Sequence, residues 1–415
     1  MNVWLVNHYA IPPGQSGGTR HFILARELVE RGHRVTIVAS SFDHTTRLEM
    51  HLRDGAPLKL EVVDGVRFLW LKTPPYKGNS VHRLWNTLVF ARKVLGLRAA
   101  DLGGPPDVVL GSSPHLFAAA AAERLARRHR VPFVLEVRDL WPQSLVDLGS
   151  FSQGHPFVRL LEGIERRLYR RAHRIITLLP GAAEHIAQKG GDPERIVWIP
   201  NGVDIRLLPA PTPPTPSDIF TYLYAGAHGL ANHLDYVLEA ARLVEEQHPE
   251  FPLRFRFVGD GPEKAGLIKR AQELMLKNVT FESPVPKAQI FELMVTADAF
   301  TIVVQNSPLY RWGISPNKLY DYLAMARPIV LAAPNLVFNN PVEEAGAGLT
   351  APSDDVRAFA RAIVDLARLS PEERWQMGLR GRDYVERHHN VARLADRLEH
   401  LLTEAARAAP PRSRS

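Results

Sequence analysis

The sequence predicts an α/β protein of two doubly wound domains, each a mainly parallel sheet with helices on both faces. Three observations carry this. Apolar strand-length runs alternate with amphipathic helix-length segments through residues 1–205, as a parallel sheet with crossover helices requires. Five prolines within residues 209–216 then break the pattern, because they permit neither helix nor central strand. The alternation restarts at residue 219 and runs to 387. The chain has 415 residues, 45% of them hydrophobic and 23% charged, enough for two cores. The expected layout is a first domain over 1–205, a linker at 206–218, a second domain over 219–387, a last helix at 388–405 and a disordered tail from 406.

Residues 2–8 read as a buried first strand, since neither a basic region nor a small-residue cleavage site marks a secretory leader. A helix over 17–31 turns Phe22, Leu24, Ala25 and Leu28 inward, and 34–39 forms the second strand. Further strands are expected at 66–71, 107–111, 132–137 and 174–178, with helices at 80–100, 116–129, 156–172 and 181–188. In the second domain strands fit 220–225, 253–258, 278–281, 299–304, 328–333 and 348–350. Helices there fit 234–247, 264–276, 287–296, 316–325, 354–369 and 371–387, and residues 391–405 make a final amphipathic helix. Ligands of such sheets bind at the carboxyl ends of strands, so the active site is expected in a cleft between the domains.

Composition removes several classes of function. No apolar run approaches the ~18 residues of a membrane span. The absence of cysteine excludes disulfides, thiolate zinc sites and thiol nucleophiles, and favours the cytoplasm. No metal-ligand spacing, P-loop or Gly-x-Ser-x-Gly elbow is present, so neither a metal nor a cofactor is expected. Charge is uneven: residues 1–205 hold 27 Lys and Arg against 19 Asp and Glu, the remainder 24 against 25. The basic first half calls for an anionic partner. Nothing resembles a nucleic-acid module, so that partner is expected to be a membrane surface or a lipid phosphate. Helix 80–100 places Arg83, Arg92, Lys93 and Arg98 among Leu84, Trp85, Leu88 and Phe90. Such a helix either lies in the interface of an anionic membrane or faces the core.

The stretch from Ile314 to Pro328 holds the strongest local signal. Ser315 reads as an N-cap and Pro316 as the first helical residue. Lys318 then sits in the first turn, where the helix dipole disfavours a cation by a few tenths to ~1 kcal/mol. An anion on that terminus reverses the sign, with Lys318 and free amides converging on it. Asp321, three residues on, shares the face of Lys318. Basic group, amides and carboxylate in that order suit a diphosphate followed by a sugar hydroxyl; a solvated Lys–Asp pair is the plain alternative.

Other candidates lie at strand ends. The loop Gly14-Gln-Ser-Gly17-Gly18-Thr-Arg20 opens a helix without the spacing or the acidic residue of a dinucleotide fingerprint. It is either a phosphate-approaching loop or a tight turn. His115 follows a strand and contacts a sugar, polarises the reacting centre, or is structural. Arg138, Asp139 and Trp141 leave another buried strand and bind acceptor or pair internally. Gly226 and His228, and then Gly259 and Gly261, end the first two strands of the second domain in loops suited to nucleotide contact.

Taken together, Ser315-Pro-Asn-Lys318-x-x-Asp321-Tyr322, Ile199-Pro-Asn-Gly202-Val-Asp204, Val258-Gly-Asp-Gly-Pro262 and Arg138-Asp-Leu-Trp-Pro142 resemble glycosyltransferase family 4. The likeness is greatest to its polysaccharide-assembly branch, which includes N-acetyl-L-fucosamine transferases. It implies a GT-B fold, two Rossmann-like domains with the last helix crossing back onto the first. It also implies metal-independent transfer, with retention, from a nucleotide-diphosphate sugar, a UDP-sugar foremost. By motif position Lys318 and the amides near Ser315, Pro316 and Asn317 hold the diphosphate, and Asp321 binds the ribose. Gly17, Gly18 and His115 line the reacting side. The implied acceptor is a lipid-linked glycan at the inner face of the plasma membrane, with the enzyme peripherally attached.

Two departures stand out. The family's donor-contacting glutamate, eight residues before the ribose-binding acid, is here Gly313. Its usual Arg and Lys after the first strand of the second domain are absent, with His228 and Asn232 nearby, which leaves Arg20 or Arg311 as helpers of Lys318. A sugar-nucleotide epimerase of the same architecture and a non-catalytic nucleotide-sugar-binding subunit are the competing readings.

Overall fold

The computed structural model describes residues 1–14, 18–52, 55–78, 81–286 and 289–408. The chain divides into two compact units, Met1–Pro200 together with the chain from Val391 onward, and Asn201–Asn390.

Eight strands build the first unit: β1 Asn2–Val6, β2 Arg34–Ser40, β3 Leu58–Val63, β4 Val66–Leu71, β5 Val108–Ser112, β6 Phe133–Val137, β7 Arg174–Thr177 and β8 Ile196–Trp198. Their order is β3-β4-β2-β1-β5-β6-β7-β8. All neighbours are parallel except β3 with β4. That hairpin turns on Asp64 and Gly65, both at positive φ (48° and 78°), the requirement of a type I′ turn. Neither β3 nor β8 was expected from the apolar pattern, since β3 leaves Leu58, Leu60 and Val62 exposed at the sheet edge. The chain leaves β1 toward β2 and returns to pair β5 on the other side, so the switch point lies between β1 and β5.

Helix Val391–Arg407 belongs to this unit and buries Leu394, Leu398, Leu401 and Leu402 in one cluster with Phe22 and Leu28 of helix Arg20–Glu30. An ion pair of Arg31 with Asp396 and a hydrogen bond between His33 Nε2 and Glu399 Oε1 (2.8 Å) hold its rim. Residues 406 and 407 are therefore helical and not tail, because Ala405 is still buried. The rest of the expected tail, from 409, lies outside the described residues.

Six parallel strands build the second unit: β9 Phe220–Ala225, β10 Leu253–Val258, β11 Val279–Glu282, β12 Ala299–Val303, β13 Ile329–Ala333 and β14 Gly348–Pro352. The order β11-β10-β9-β12-β13-β14 puts the switch point between β9 and β12. Both sheet faces are covered, which is why these strands read as apolar runs. The break between units falls at Pro200, upstream of the proline run. Arg327, only 1% exposed, donates to the carbonyls of Thr212 and Ala297 (2.8 Å each), which ties that run to the second unit.

Candidate active site

The second unit gathers the anion-binding candidates at its switch point. Helix Asn317–Ala324 follows β12 and buries Leu319, Tyr320, Tyr322 and Leu323. The Tyr322 hydroxyl accepts from the Ala225 amide (2.7 Å) and donates to the Ala225 carbonyl (3.0 Å), which bolts the helix to the end of β9. Pro316, in an extended conformation (φ −72°, ψ 134°), is the residue before the first turn, and no side chain caps it. This corrects the expected cap: the Ser315 hydroxyl instead meets Tyr320 Oη (3.3 Å), and its carbonyl accepts from Asn201 (3.0 Å). An uncapped first turn keeps amides available for a ligand.

Lys318 lies half-buried against β9. Its Nζ donates to Tyr224 Oη and to Asn232 Oδ1, both at 2.5 Å, and stands 4.5 Å above the Tyr224 ring. Among the described residues no carboxylate forms an ion pair with it. Burial lowers its pKa to about 8. Asn317 is exposed and Asp321 half-buried. Arg311 stacks on Trp312 (4.9 Å) and donates to the Pro308 carbonyl (2.9 Å).

The two glycine loops serve each other. The His228 amide donates to Asp260 (2.8 Å), and the Glu263 amide to the His228 carbonyl (3.0 Å). A Cβ on Gly259 would lie 1.9 Å from the Gly226 carbonyl oxygen, and one on Gly261 2.3 Å from that of His228. These two glycines are thus explained by the approach of two backbones, whatever else they touch. Gly226 sits beside Lys318, whose Nζ would be 3.5 Å from an added Cβ. His228 is fully buried with neither ring nitrogen hydrogen-bonded, and burial, then Lys264, lowers its pKa to about 4.

In the first unit the switch point holds a buried polar cluster around Glu136. Arg20 Nε donates to Glu136 Oε1 (2.9 Å), and its two other nitrogens donate to the carbonyls of Ile199 (2.7 Å) and Pro200. His21 Nε2 lies 2.6 Å from Glu136 Oε2, and the Ser112 hydroxyl donates to the same oxygen (2.6 Å). Asn7 Nδ2 reaches Ser112 (2.9 Å). Burial pushes the Glu136 carboxyl up, but His21 and Arg20 more than offset this and hold it well below the usual carboxylate range. Arg20 is thereby corrected: its guanidinium is 6% exposed and spent on this cluster, so it is no phosphate ligand. Glu136 in the apolar strand Phe-Val-Leu-Glu-Val was the available signal, because a buried carboxylate demands partners.

Around this cluster stand the remaining candidates. His115, 4% exposed, caps helix Leu116–His129 by accepting the Ala118 amide at Nδ1 (3.2 Å). Burial, then Arg83, lowers its pKa to about 3, so the ring is neutral with its proton on Nε2, which meets no acceptor among the described residues. The Arg138 amide donates to Ser113 Oγ (2.8 Å). Asp139 is exposed and Trp141 half-buried. Gly18 and Arg138 line a cavity of about 130 Å³ with His8, His44, His51 and Trp70. His51 and Trp70 stack at 3.6 Å, and His44 meets Tyr76 Oη at 2.6 Å. Gly17 lies outside the described residues. His8, directly after β1, went unnoticed in the sequence for want of a partner in spacing.

Comparison with known proteins decides the architecture. Residues 18–202 match the glycosyl transferase 4-like domain, and residues 220–368 match glycosyl transferases group 1. The fold is GT-B, and both halves of the chain match glycosyl transferase domains. It is 23% identical over 246 residues to WbjE of Pseudomonas aeruginosa, named a glycosyltransferase, covering 57% of this chain and 60% of that one. It is 25% identical over 271 residues to WcaI of Escherichia coli K12, named for colanic acid biosynthesis, covering 62% and 65%. The matches thus span under two thirds of either relative. Anabaena HepE in complex with UDP superposes with a TM-score of 0.67 at 15% identity, over 97% of this chain and all of that one.

Proposed function

We propose that this protein transfers a sugar from a UDP-sugar to a glycan acceptor in cell-surface polysaccharide assembly, with retention and without a metal. One observation carries the reading. A lysine with no carboxylate partner among the described residues stands in the uncapped first turn of a helix at the switch point of the second unit. Preorganised charge of this kind stabilises a departing diphosphate. Asp321 takes the ribose, and the backbone N–H groups of Ser315 and Asn317 face the diphosphate. The His115 Nε2–H meets the transferred sugar, while Arg138, Asp139 and Trp141 face the acceptor. Departure on the acceptor's side lets the leaving phosphate receive the acceptor's proton. UDP in the HepE complex and the polysaccharide naming of WcaI support donor and pathway class.

The test is thermal shift of the full chain against UDP, GDP and ADP. UDP is expected to stabilise it most, by about 2.7 kcal/mol at a hundredfold excess over Kd. No shift with any of the three would overturn the reading.

The acceptor is proposed to be lipid-linked, with the first unit resting on an anionic membrane. Helix Val81–Gly96 buries polar Asn86 and Thr87 but exposes Val81, Trp85 and Leu88, with Arg92 one turn further on the same side. Arg124, Arg127 and Arg128 add exposed cations on helix Leu116–His129. Apolar insertion flanked by arginines suits an anionic lipid surface. Phosphatidylglycerol vesicles are expected to sediment the wild type. Substituting Trp85→Glu with Leu88→Glu is expected to weaken this at least about tenfold. Equal sedimentation of the double variant would refute the docking face.

A further inference from the structure

The environment of Lys318 has a second layer. Tyr224 Oη donates its hydrogen to the Ala227 carbonyl (2.8 Å), and Asn232 Nδ2 donates to the same oxygen (2.9 Å). With both donors committed there, each residue turns an acceptor oxygen to the ammonium, at 2.5 Å. A single carbonyl therefore sets the polarity of two side chains that arrive from β9 and from the turn after it. We propose that Tyr224 and Asn232 are positioning residues that hold Lys318 as a cation, aimed and unneutralised, for the diphosphate of the donor.

The inference rests on the proposed role of Lys318 at the donor phosphates and adds how that charge is kept ready. A carboxylate at either position would hold the ammonium as well, but the diphosphate would then have to displace it. Neutral oxygens orient the cation without bringing a competing charge. Burial raises the Tyr224 hydroxyl above its ordinary pKa, so it stays protonated and keeps its bond to Ala227. The other groups around this niche are Tyr322 from the same helix, His228 and Asp260 from the glycine loops, Lys264 from the helix that follows them, and Asp321 one turn on. The His228 ring is neutral, and Lys318 itself helps keep it so. The carrier of the positive charge is thus surrounded chiefly by neutral groups, and burial alone lowers its pKa to about 8.

The sign of the pH effect follows. Free protein loses the Lys318 proton as pH rises through about 8, whereas bound diphosphate raises that pKa, so binding takes up a proton. Between about pH 7 and 8.5 the phosphates of UDP are fully ionised and its uracil N3–H is still protonated, so the fall of UDP affinity across that window reports Lys318. Isothermal titration of UDP into the full chain between about pH 7 and 8.5 tests the proposal. Affinity of the wild type is expected to fall up to tenfold per unit above about pH 8. Asn232→Asp is expected to move that limb up by about one unit, because an opposite charge favours the ammonium. The same variant should bind UDP about tenfold more weakly at neutral pH, through competition. Tyr224→Phe removes one acceptor and is expected to move the limb down, which keeps the test open if the aspartate variant fails to fold. Lys318→Ala should bind weakly and without a limb. Unmoved limbs in both positioning variants, beside weak binding by Lys318→Ala, would overturn the inference and leave the diphosphate reading standing. Wild-type affinity in Lys318→Ala would remove both.

Discussion

Replacing Lys318 by alanine is expected to lower turnover by about 10²-fold at saturating donor and acceptor, the scale of losing one preorganised stabilising donor. The fold should not suffer. Lys318 is a half-buried cation whose partners are a tyrosine and an asparagine, and desolvation depresses its pKa from 10.5 to about 8. Between those values the unfolded chain binds more protons than the folded one, so the group's contribution to stability rises with pH across that window. Below it, burying the charge costs stability. Alanine removes this cost, so the melting temperature should stay level or rise while turnover collapses, the trade-off expected of a functional strain. Release of labelled sugar onto acceptor, read beside a melting curve, checks both halves. Undiminished turnover would deny Lys318 its role.

Glu136→Ala should be the most destabilising single change in the first unit. Arg20 and Glu136 have side chains 6% and 3% exposed, and the carboxylate also serves His21 and Ser112. Removing one member of such a buried pair costs about 3–5 kcal/mol, because the other charge is left uncompensated. Hydrogen exchange reads the effect locally: amides of β5 and β6 should lose protection by roughly 10²–10⁴-fold, with β9 and β12 unchanged. Acid mimics the lesion. The depressed carboxyl contributes its full stability above about pH 4.5 and loses it as pH falls toward its folded value. A uniform change across both units would contradict the local role.

What the sequence reveals depends on how far apart the partners lie. The parallel strands announce themselves because both faces are buried; β5 and β6 are buried at every position. β3 hides, since three of its apolar residues face solvent at an edge, although Asp64-Gly65 marked its turn. Lys318 is legible as a cation at the unfavourable end of a helix. Its holders are not: Tyr224 and Asn232 lie 94 and 86 residues away. Arg20 misleads for the same reason. Beside a glycine loop it resembles a phosphate ligand, but Glu136, 116 residues on, claims it. Local spacing fixes which face a side chain takes, not which long-range partner meets it there.

One pairing near the unit boundary has a practical outcome. Val203 bridges Asn390, its amide donates to the His389 carbonyl (2.8 Å), and His389 Nδ1 meets the Asn201 carbonyl (2.8 Å). The entry and exit of residues 201–390 are thereby stitched side by side, as in a module inserted into a host. A gene fragment spanning 201–390 should therefore yield a self-contained folded piece. The host half needs its closing helix restored by a short splice from 200 to 391, since a simple truncation at 200 would strip Leu394, Leu398, Leu401 and Leu402 from its core.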